Sequence, residues 1–388
     1  MATTPTPNTQ GTTRPIRLGV IGTGLAVEQL HWPALKRMRD RFEIVAFAEP
    51  DSDHAAHFAD YTGTAITAHT ADYPALLARD DVEAVLISLP IPLNYPVTRD
   101  ALTAGKHVIC EKPAGVDEAE GQQYFALAAA FPNQTLLVAE NYFYRDDLRL
   151  ARTLLDDGAI GRVHLMAWRT VSRSVPVPGK FSSTPWRHHP QYRGGSHLDG
   201  GVHHIAQIRL LCGGAVSVAG AVQFANRTID APSDLTLTLT FASGAIGSYT
   251  AAYPEIAVPP EPNEMRLYGT EGVMVFGKQQ QLSVYRPDGR VDEHTFTDSD
   301  PGYYNEFLNF HEALTQGAPV IGTAAQSFAN MQIVLRGLDA AEQQRTVPIT
   351  DAPVVTVPLW RPHGATGLFD GLPLRHEMTT HAADTASE

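Results

Sequence analysis

The chain has 388 residues, more than one ordinary core accommodates, so its length predicts two domains. A hydrophobic fraction of 43% with 18% charged residues is the balance of a globular chain, and a formal charge of −13 argues against nucleic acid or an anionic membrane as partner. Two cysteines, Cys110 and Cys212, both in apolar sequence, offer no disulfide framework and point to a reduced, cytoplasmic setting.

Met1–Pro15 is rich in Thr, Pro and Asn and reads as a disordered leader, residues 1–15. No apolar stretch reaches the length that spans a bilayer. Ile16–Ile21 then reads as a strand ending in Gly22-Thr23-Gly24-Leu25-Ala26-Val27. Helical spacing follows over Glu28–Arg39, with Leu30, Ala34, Leu35 and Met38 on one side, and a second strand, Ile44–Ala48, closes on Glu49. This strand–turn–helix–strand order is what a dinucleotide site requires. Gly22 allows the tight turn, and Gly24 removes a Cβ so that backbone can approach a pyrophosphate. The amides opening the helix supply partial positive charge to hold it. Thr23, Leu25 and Ala26 share that turn as cofactor-binding candidates. Glu49 sits where a carboxylate accepts from both ribose hydroxyls, and beside a 2′-phosphate it would meet like charge. NAD is therefore the expected cofactor, with NADP the alternative.

Ser52–Tyr61 and Asp72–Arg79 read as short helices. Ala84–Leu89 is a continuous apolar run, as in a parallel strand buried on both faces, and Pro90-Ile91-Pro92 stops it. A helix over Tyr95–Ala104 ends at Gly105, and Lys106–Cys110 is the next strand, with Glu111-Lys112-Pro113 at its carboxyl end. Asp117 with Glu120 resembles a capping box opening a helix to Ala130, and Thr135–Ala139 is the fifth strand located in a sheet read as having six. Residues 16–139 thus form an α/β Rossmann domain, a doubly wound parallel sheet. Its ligands belong outside the carboxyl ends of the strands, which adds Leu89, Pro90, Asn94, Glu111, Lys112 and Pro113 to the cofactor-binding candidates.

After Glu140 the pattern changes. A helix over Arg145–Asp156 and a long strand over Arg162–Ser172 lead into a loop carrying Pro176, Pro178, Pro185 and Pro190, then a helix over Asp199–Cys212. Leu235–Phe241 alternates strictly, as in a sheet with one wet face. Further strands fit Ile246–Ala252, Glu264–Tyr268, Val273–Phe276 and Leu282–Tyr285, and late helices fit Tyr303–Leu314 and Ala324–Gln343. Residues 140–360 therefore read as a C-terminal α+β domain with a large, mainly antiparallel sheet. Residues 361–388 read as a tail, frayed from His376 onward.

Three stretches taken together resemble the Gfo/Idh/MocA family of nicotinamide-dependent sugar and cyclitol oxidoreductases. They are the glycine turn, Gly105-Lys106-His107-Val108-Ile109-Cys110-Glu111-Lys112-Pro113, and Asp199-Gly200-Gly201-Val202-His203 within Gly194–His204. Tyr304-Asn305-Glu306-Phe307-Leu308-Asn309-Phe310 also looks familial, and the resemblance spans Ile16 to Val347. The chain departs from the family pattern at Val27 (third glycine), Asn94 (a frequent histidine) and Ala206 (a common aspartate). The resemblance implies that Lys112, Asp199 and His203 line the nicotinamide cleft, that a cis bond precedes Pro113, and that copies of the chain associate through the C-terminal sheet.

The chemistry of these residues agrees. Removing a hydride from a carbinol carbon needs a base for the hydroxyl proton. Asp199 and His203, four apart, share a helix face; His203 can cycle its proton near neutral pH, and Asp199 can bind a substrate hydroxyl or orient the imidazole. Lys112 adds positive charge where an alkoxide develops. Plainer roles stand beside these: a solvated loop lysine, a helix-capping Asp199, and a packed His204. Trp186 and Arg187 suit a sugar or anchor their loop, and Tyr142, Arg169 and Tyr304 are further substrate-binding candidates. Five histidines between His188 and His204 lack the spacing of a metal site, so no metal is expected. The expected activity is hydride transfer between a secondary hydroxyl or ketone of a sugar, cyclitol or related polyol and NAD(P). The alternatives are NAD-recycling glycoside cleavage by oxidation and elimination, and a non-catalytic sensor.

Overall fold

Short apolar-rich runs make most of the first sheet. Strands Ile16–Ile21 (β1), Phe42–Ala48 (β2), His69–Thr70 (β3), Ala84–Ile87 (β4), His107–Glu111 (β5) and Leu136–Ala139 (β6) lie in the order β3-β2-β1-β4-β5-β6, each pair parallel. β4 and β6 are buried at every position, as strands covered on both faces must be. The connecting helices are Trp32–Leu35 (α1), Ser52–Thr62 (α2), Tyr73–Leu77 (α3), Asn94–Thr103 (α4) and Glu118–Ala130 (α5). The strand order reverses between β1 and β4, which opens a crevice at the carboxyl edge of the sheet. Both the glycine turn and Glu111-Lys112-Pro113 leave the sheet on that edge. The computed structural model describes residues 14–259, 263–277, 281–350 and 356–383; all but the last two residues of the expected leader lie outside them.

The helix expected over Glu28–Arg39 is a π turn, Val27–His31, running into α1, and it stops at Leu35. Pro33 explains the change, because it has no N–H to give back to the preceding turn. The stripe is largely kept: Ala34, Leu35 and Met38 are buried, and only Leu30 is half-exposed. Asp117 caps α5 by accepting from Glu120 N–H, while the Glu120 carboxylate takes the Val116 N–H.

The second half holds the helices Asp146–Asp156 (α6), Pro185–His188 (α7), Ser196–Asp199 (α8), Gly201–Cys212 (α9), Tyr303–Gln316 (α10) and Ala324–Gln343 (α11). Its strands are Val163–Val171 (β7), Ala215–Gln223 (β8), Asp234–Phe241 (β9), Ile246–Ala252 (β10), Met265–Gly269 (β11), Gly272–Phe276 (β12), Gln281–Tyr285 (β13), Arg290–Thr297 (β14), Val347–Pro348 (β15) and Arg375–Ala382 (β16). They form one ten-stranded sheet, β15-β8-β9-β10-β7-β11-β12-β13-β14-β16, antiparallel except where β7 meets β10. β9 alternates buried and exposed, one face packed and one open. α11 lies on the packed face so closely that a Cβ on Gly220 of β8 would come within 2.1 Å of the Gly337 carbonyl oxygen.

The tail departs from the sequence reading. Arg375–Ala382 pairs along the whole of β14, and the His376 ring stacks on His294 and Phe296. Backbone hydrogen bonds order this strand; apart from His376 its side chains are exposed, so its polar sequence carried no signal of burial. Leu18 and Phe47 of the first sheet share one core cluster with Leu237, Phe307 and Phe328 of the second half, which fixes the cleft walls against each other. Among the described residues no helix is long and apolar enough to cross a membrane.

Candidate active site

The glycine turn is shaped for close approach. Gly22 has φ +85°, and a Cβ there would lie 2.4 Å from the Ser88 carbonyl oxygen of the neighbouring strand end. Gly24 faces open space, with no neighbouring atom of the described residues within 4 Å of where its Cβ would stand. The Glu28 N–H bonds back to Gly24, which leaves the amides ahead of it available to an anionic group. Glu49, at the tip of β2, accepts from the Thr23 hydroxyl at 2.8 Å and the Asp51 amide at 3.1 Å, which fixes its carboxylate beside the turn. This chemistry suits a dinucleotide: bare backbone for the phosphates and a held acceptor for a ribose.

A cavity of about 370 Å³ runs from this turn to the second half, lined by Gly24, Leu25, Ala26, Leu89, Pro90, Glu111, Lys112, Trp186, Arg187, Asp199, His203 and Tyr303. A larger one, about 670 Å³, lies at the amino ends of β1 and β2, the wrong edge of the sheet, among Trp32, Arg39, Phe42 and Thr64. Lys112 enters the cleft from the end of β5. Its Nζ donates to the Asp199 carbonyl at 2.7 Å and to Asp199 Oδ1 at 2.9 Å, while Arg187 Nε donates to Oδ2 at 2.7 Å. Burial opposes the charge of Asp199, but Lys112 and Arg187 overcome it and hold the carboxyl well below the usual range. Burial likewise opposes the Lys112 ammonium, and Asp199 and Glu111 keep its pKa above the ordinary value. Lys112 is therefore a fixed cation.

Asn94 and Pro113, expected at the cofactor, do not line the cleft. Asn94 is fully buried and donates to the Glu111 carbonyl at 2.9 Å and the Pro113 carbonyl at 3.2 Å, pinning the bend that carries the cis Lys112–Pro113 bond. Asp199 ends α8, and Gly200 separates it from α9, which carries His203. The Asp199 carboxylate neither caps α9 nor orients the imidazole, because Lys112 and Arg187 occupy its two oxygens. The imidazole partner is Glu140, whose Oε1 lies 2.6 Å from His203 Nδ1. Tyr142 stacks on the ring at 5.0 Å between centroids. His204 turns inward to the Tyr249 hydroxyl at 2.7 Å, and burial pushes it down to about 3, so it stays neutral.

Trp186 and Arg187 line the cleft and also brace their loop, with the guanidinium 4.0 Å from the Trp186 ring centre. Tyr142 backs His203 from a neighbouring cavity shared with Arg145 and Trp168. Two substrate candidates fall outside. Arg169 is on the exposed face of β7, because strand alternation sends Trp168 inward and its neighbour outward. Tyr304 turns to Arg37, 4.8 Å away, while Tyr303, about 100° around the helix, faces the cleft. Of the residues absent from the sequence reading, Glu140 had a usable signal: it follows β6 on the same carboxyl edge that carries Lys112.

A doubly wound nucleotide sheet whose carboxyl edge meets a lysine, an aspartate and a histidine across one cleft defines a nicotinamide-dependent oxidoreductase. The chain belongs to the Gfo/Idh/MocA oxidoreductase family: residues 16–139 match its NAD-binding Rossmann fold and residues 148–275 match the GFO/IDH/MocA C-terminal domain. It is an NAD-dependent oxidoreductase. It is similar to the dTDP-3,4-didehydro-2,6-dideoxy-alpha-D-glucose 3-reductase of Streptomyces violaceoruber, 32% identical over 306 residues, covering 72% of this chain and 80% of that protein. An uncharacterised protein of Saccharomyces cerevisiae is 26% identical over 342 residues, 82% of this chain and 94% of its own length. The crystal structure of an oxidoreductase from Thermotoga maritima superposes with a TM-score of 0.78 at 29% identity, covering 86% of this chain and 98% of that one.

Proposed function

We propose that the chain moves a hydride between a secondary hydroxyl or ketone of a sugar, cyclitol or related polyol and nicotinamide. One observation carries the reading: Lys112 from the nucleotide half and Asp199 and His203 from the other half line a single cleft with the glycine turn. Bound NAD supplies the hydride acceptor or donor at its nicotinamide ring. The amides of Gly24, Leu25 and Ala26 would hold the pyrophosphate, since those of Gly22 and Thr23 are spent on the Ala48 carbonyl and Glu49, and Glu49 would take the ribose hydroxyls and favour NAD over NADP. His203, with Nδ1 engaged by Glu140, takes or returns the hydroxyl proton at Nε2. The Lys112 ammonium stabilises the developing alkoxide. Asp199 holds Lys112 and Arg187 in place, and Trp186 offers a flat face to a ring. The similarity to a dTDP-sugar 3-reductase supports a sugar as the substrate.

The test is NADH formation across a panel of sugars and cyclitols. Lys112→Ala and His203→Ala should each lower kcat/KM by about 10²–10⁴-fold while leaving the Kd for NAD unchanged. Near-normal turnover in both variants overturns the assignment.

A further inference from the structure

A group of carboxyls runs from the cleft wall at Glu111 to the protein interior behind His203. Glu111 and Glu140, at the ends of β5 and β6, each meet a histidine: Glu111 Oε1 lies 2.8 Å from His31 Nε2, and Glu140 Oε1 lies 2.6 Å from His203 Nδ1. Glu306, on the first turns of α10, is fully buried, and among the described residues neither of its carboxyl oxygens meets a hydrogen-bond partner. Glu140 Oε2 is buried without a partner in the same way. α10 packs directly on the segment after β6: Asn305 Nδ2 donates to the Tyr144 carbonyl, and Asn141 Nδ2 donates to the Pro301 carbonyl.

The charges acting on Glu306 are Glu111, Glu140 and Asp300, all negative, with Tyr303 on its own helix and Tyr144 from the adjoining segment nearby. His203 is faced by Glu140, Glu111, Tyr142 and its neighbour His204, and it shares the cleft with Lys112, Asp199, Arg187 and Tyr303. An ionised Glu306 would be a fourth anion beside Glu111, Glu140 and Asp300, and among the described residues no cation is paired with it. An ionised carboxylate of that kind is among the costliest groups to bury.

We propose that Glu140 is the positioning residue for His203, and that Glu306 carries a proton behind the pair, leaving negative charge on Glu111 and Glu140, which face histidines, and on Asp300, which faces Arg37. The proposal deepens the function given above, since it rests on His203 as the group that moves the substrate proton. Glu140 fixes the Nδ1–H tautomer, which turns Nε2 to the cleft, and its charge favours the imidazolium formed when His203 takes that proton. Glu306, kept neutral, preserves that preference without adding a repulsive charge. Burial first, then Glu111, Glu140 and Asp300, push the Glu306 carboxyl well above its ordinary value, in agreement with the geometry.

Two measurements test it. The first follows the His203 imidazole by ¹⁵N NMR against pH in the full chain without substrate, beside the pH profile of kcat/KM. In Glu140→Gln the titration midpoint and the acid limb should move together to lower pH by about one unit or more, with kcat down about 10–100-fold, KM little changed and NAD affinity unchanged. Glu140→Asp should restore part of both. An unmoved midpoint in Glu140→Gln overturns the positioning role. Because the NMR reading needs no turnover, it separates this failure from a failure of the hydride-transfer reading, which shows as wild-type inactivity on every polyol.

The second measurement compares melting temperatures of wild type and Glu306→Gln from pH 4 to 8. Unfolded Glu306 ionises near its ordinary value of 4.5, whereas the folded chain retains the proton. Wild type therefore loses stability as pH rises above that value, and the amide variant does not. Glu306→Gln should melt above wild type at pH 7, with the gap closing toward pH 4. A variant that melts below wild type by a margin widening with pH shows an ionised Glu306, and either that result or failure to fold at pH 7 overturns the proposal.

Discussion

The two sides of His203 bury carboxyl groups in opposite states. On the cleft side Asp199 is 9% exposed and answers two cations, Lys112 and Arg187, so it stays ionised far below the usual carboxylate range. On the far side Glu306 is wholly buried among Glu111, Glu140 and Asp300, so its carboxyl rises. Burial is common to both, and it favours the neutral acid in both. The partners decide the outcome. In the proposed mechanism this is a division of labour: the cleft side keeps fixed charges for substrate and alkoxide, and the far side sets the state of the histidine between them.

The sharpest way to break this contrast is Asp199→Asn. Removing the anion leaves Lys112 and Arg187 facing each other across a neutral amide, and kcat/KM should fall by about 100-fold or more in steady-state assays. The same variant reports on pH. The stabilisation from a depressed carboxyl is present above its unfolded value of 3.8 and is lost as pH falls through the folded one. The melting gap between wild type and Asp199→Asn should therefore be full at neutral pH and shrink in acid, opposite in sign to the gap expected for Glu306→Gln.

Arg187→Lys is next in size. A point charge cannot donate to Asp199 and Thr184 in the way the guanidinium does, so KM for the polyol should rise about tenfold with NAD affinity intact. Asn94→Ala should cost about 1–3 kcal/mol in chemical denaturation, since it strips the buried donor from the carbonyls of Glu111 and Pro113. At the small end, Arg169→Ala and Tyr304→Phe should leave kcat and KM within about twofold, whereas Tyr303→Phe should raise KM. An equal effect at Tyr303 and Tyr304 would refute the placement of the cleft wall on α10.

Much of the first half was legible because its signals are local. β1, its turn and β2 are contiguous, and the unbroken apolar runs of β4 and β6 mark strands covered on both faces. The alternation of β9 marked a sheet with one open face for the same reason. β8, with its small residues, and β14 and β16, with polar ones, escaped notice because they are ordered by backbone pairing and by α11, and neither leaves a period in the sequence. Arg169 was misplaced because its facing depends on which side of β7 the helices cover, which alternation alone leaves undecided.

The order of residues along the chain determined which groups were available for chemistry: a glycine turn, a carboxylate past the second strand, a lysine at a strand end, and an aspartate and histidine four apart. Folding decided which of them meet. Asp199 engages Lys112 from 87 residues away, and His203 engages Glu140 from 63 residues away, in place of the near neighbour that helical spacing offered. A hydrogen bond or ion pair acts only over a few ångströms and is indifferent to separation along the chain. The partners that set each charge in this site therefore come from the packing of the two halves.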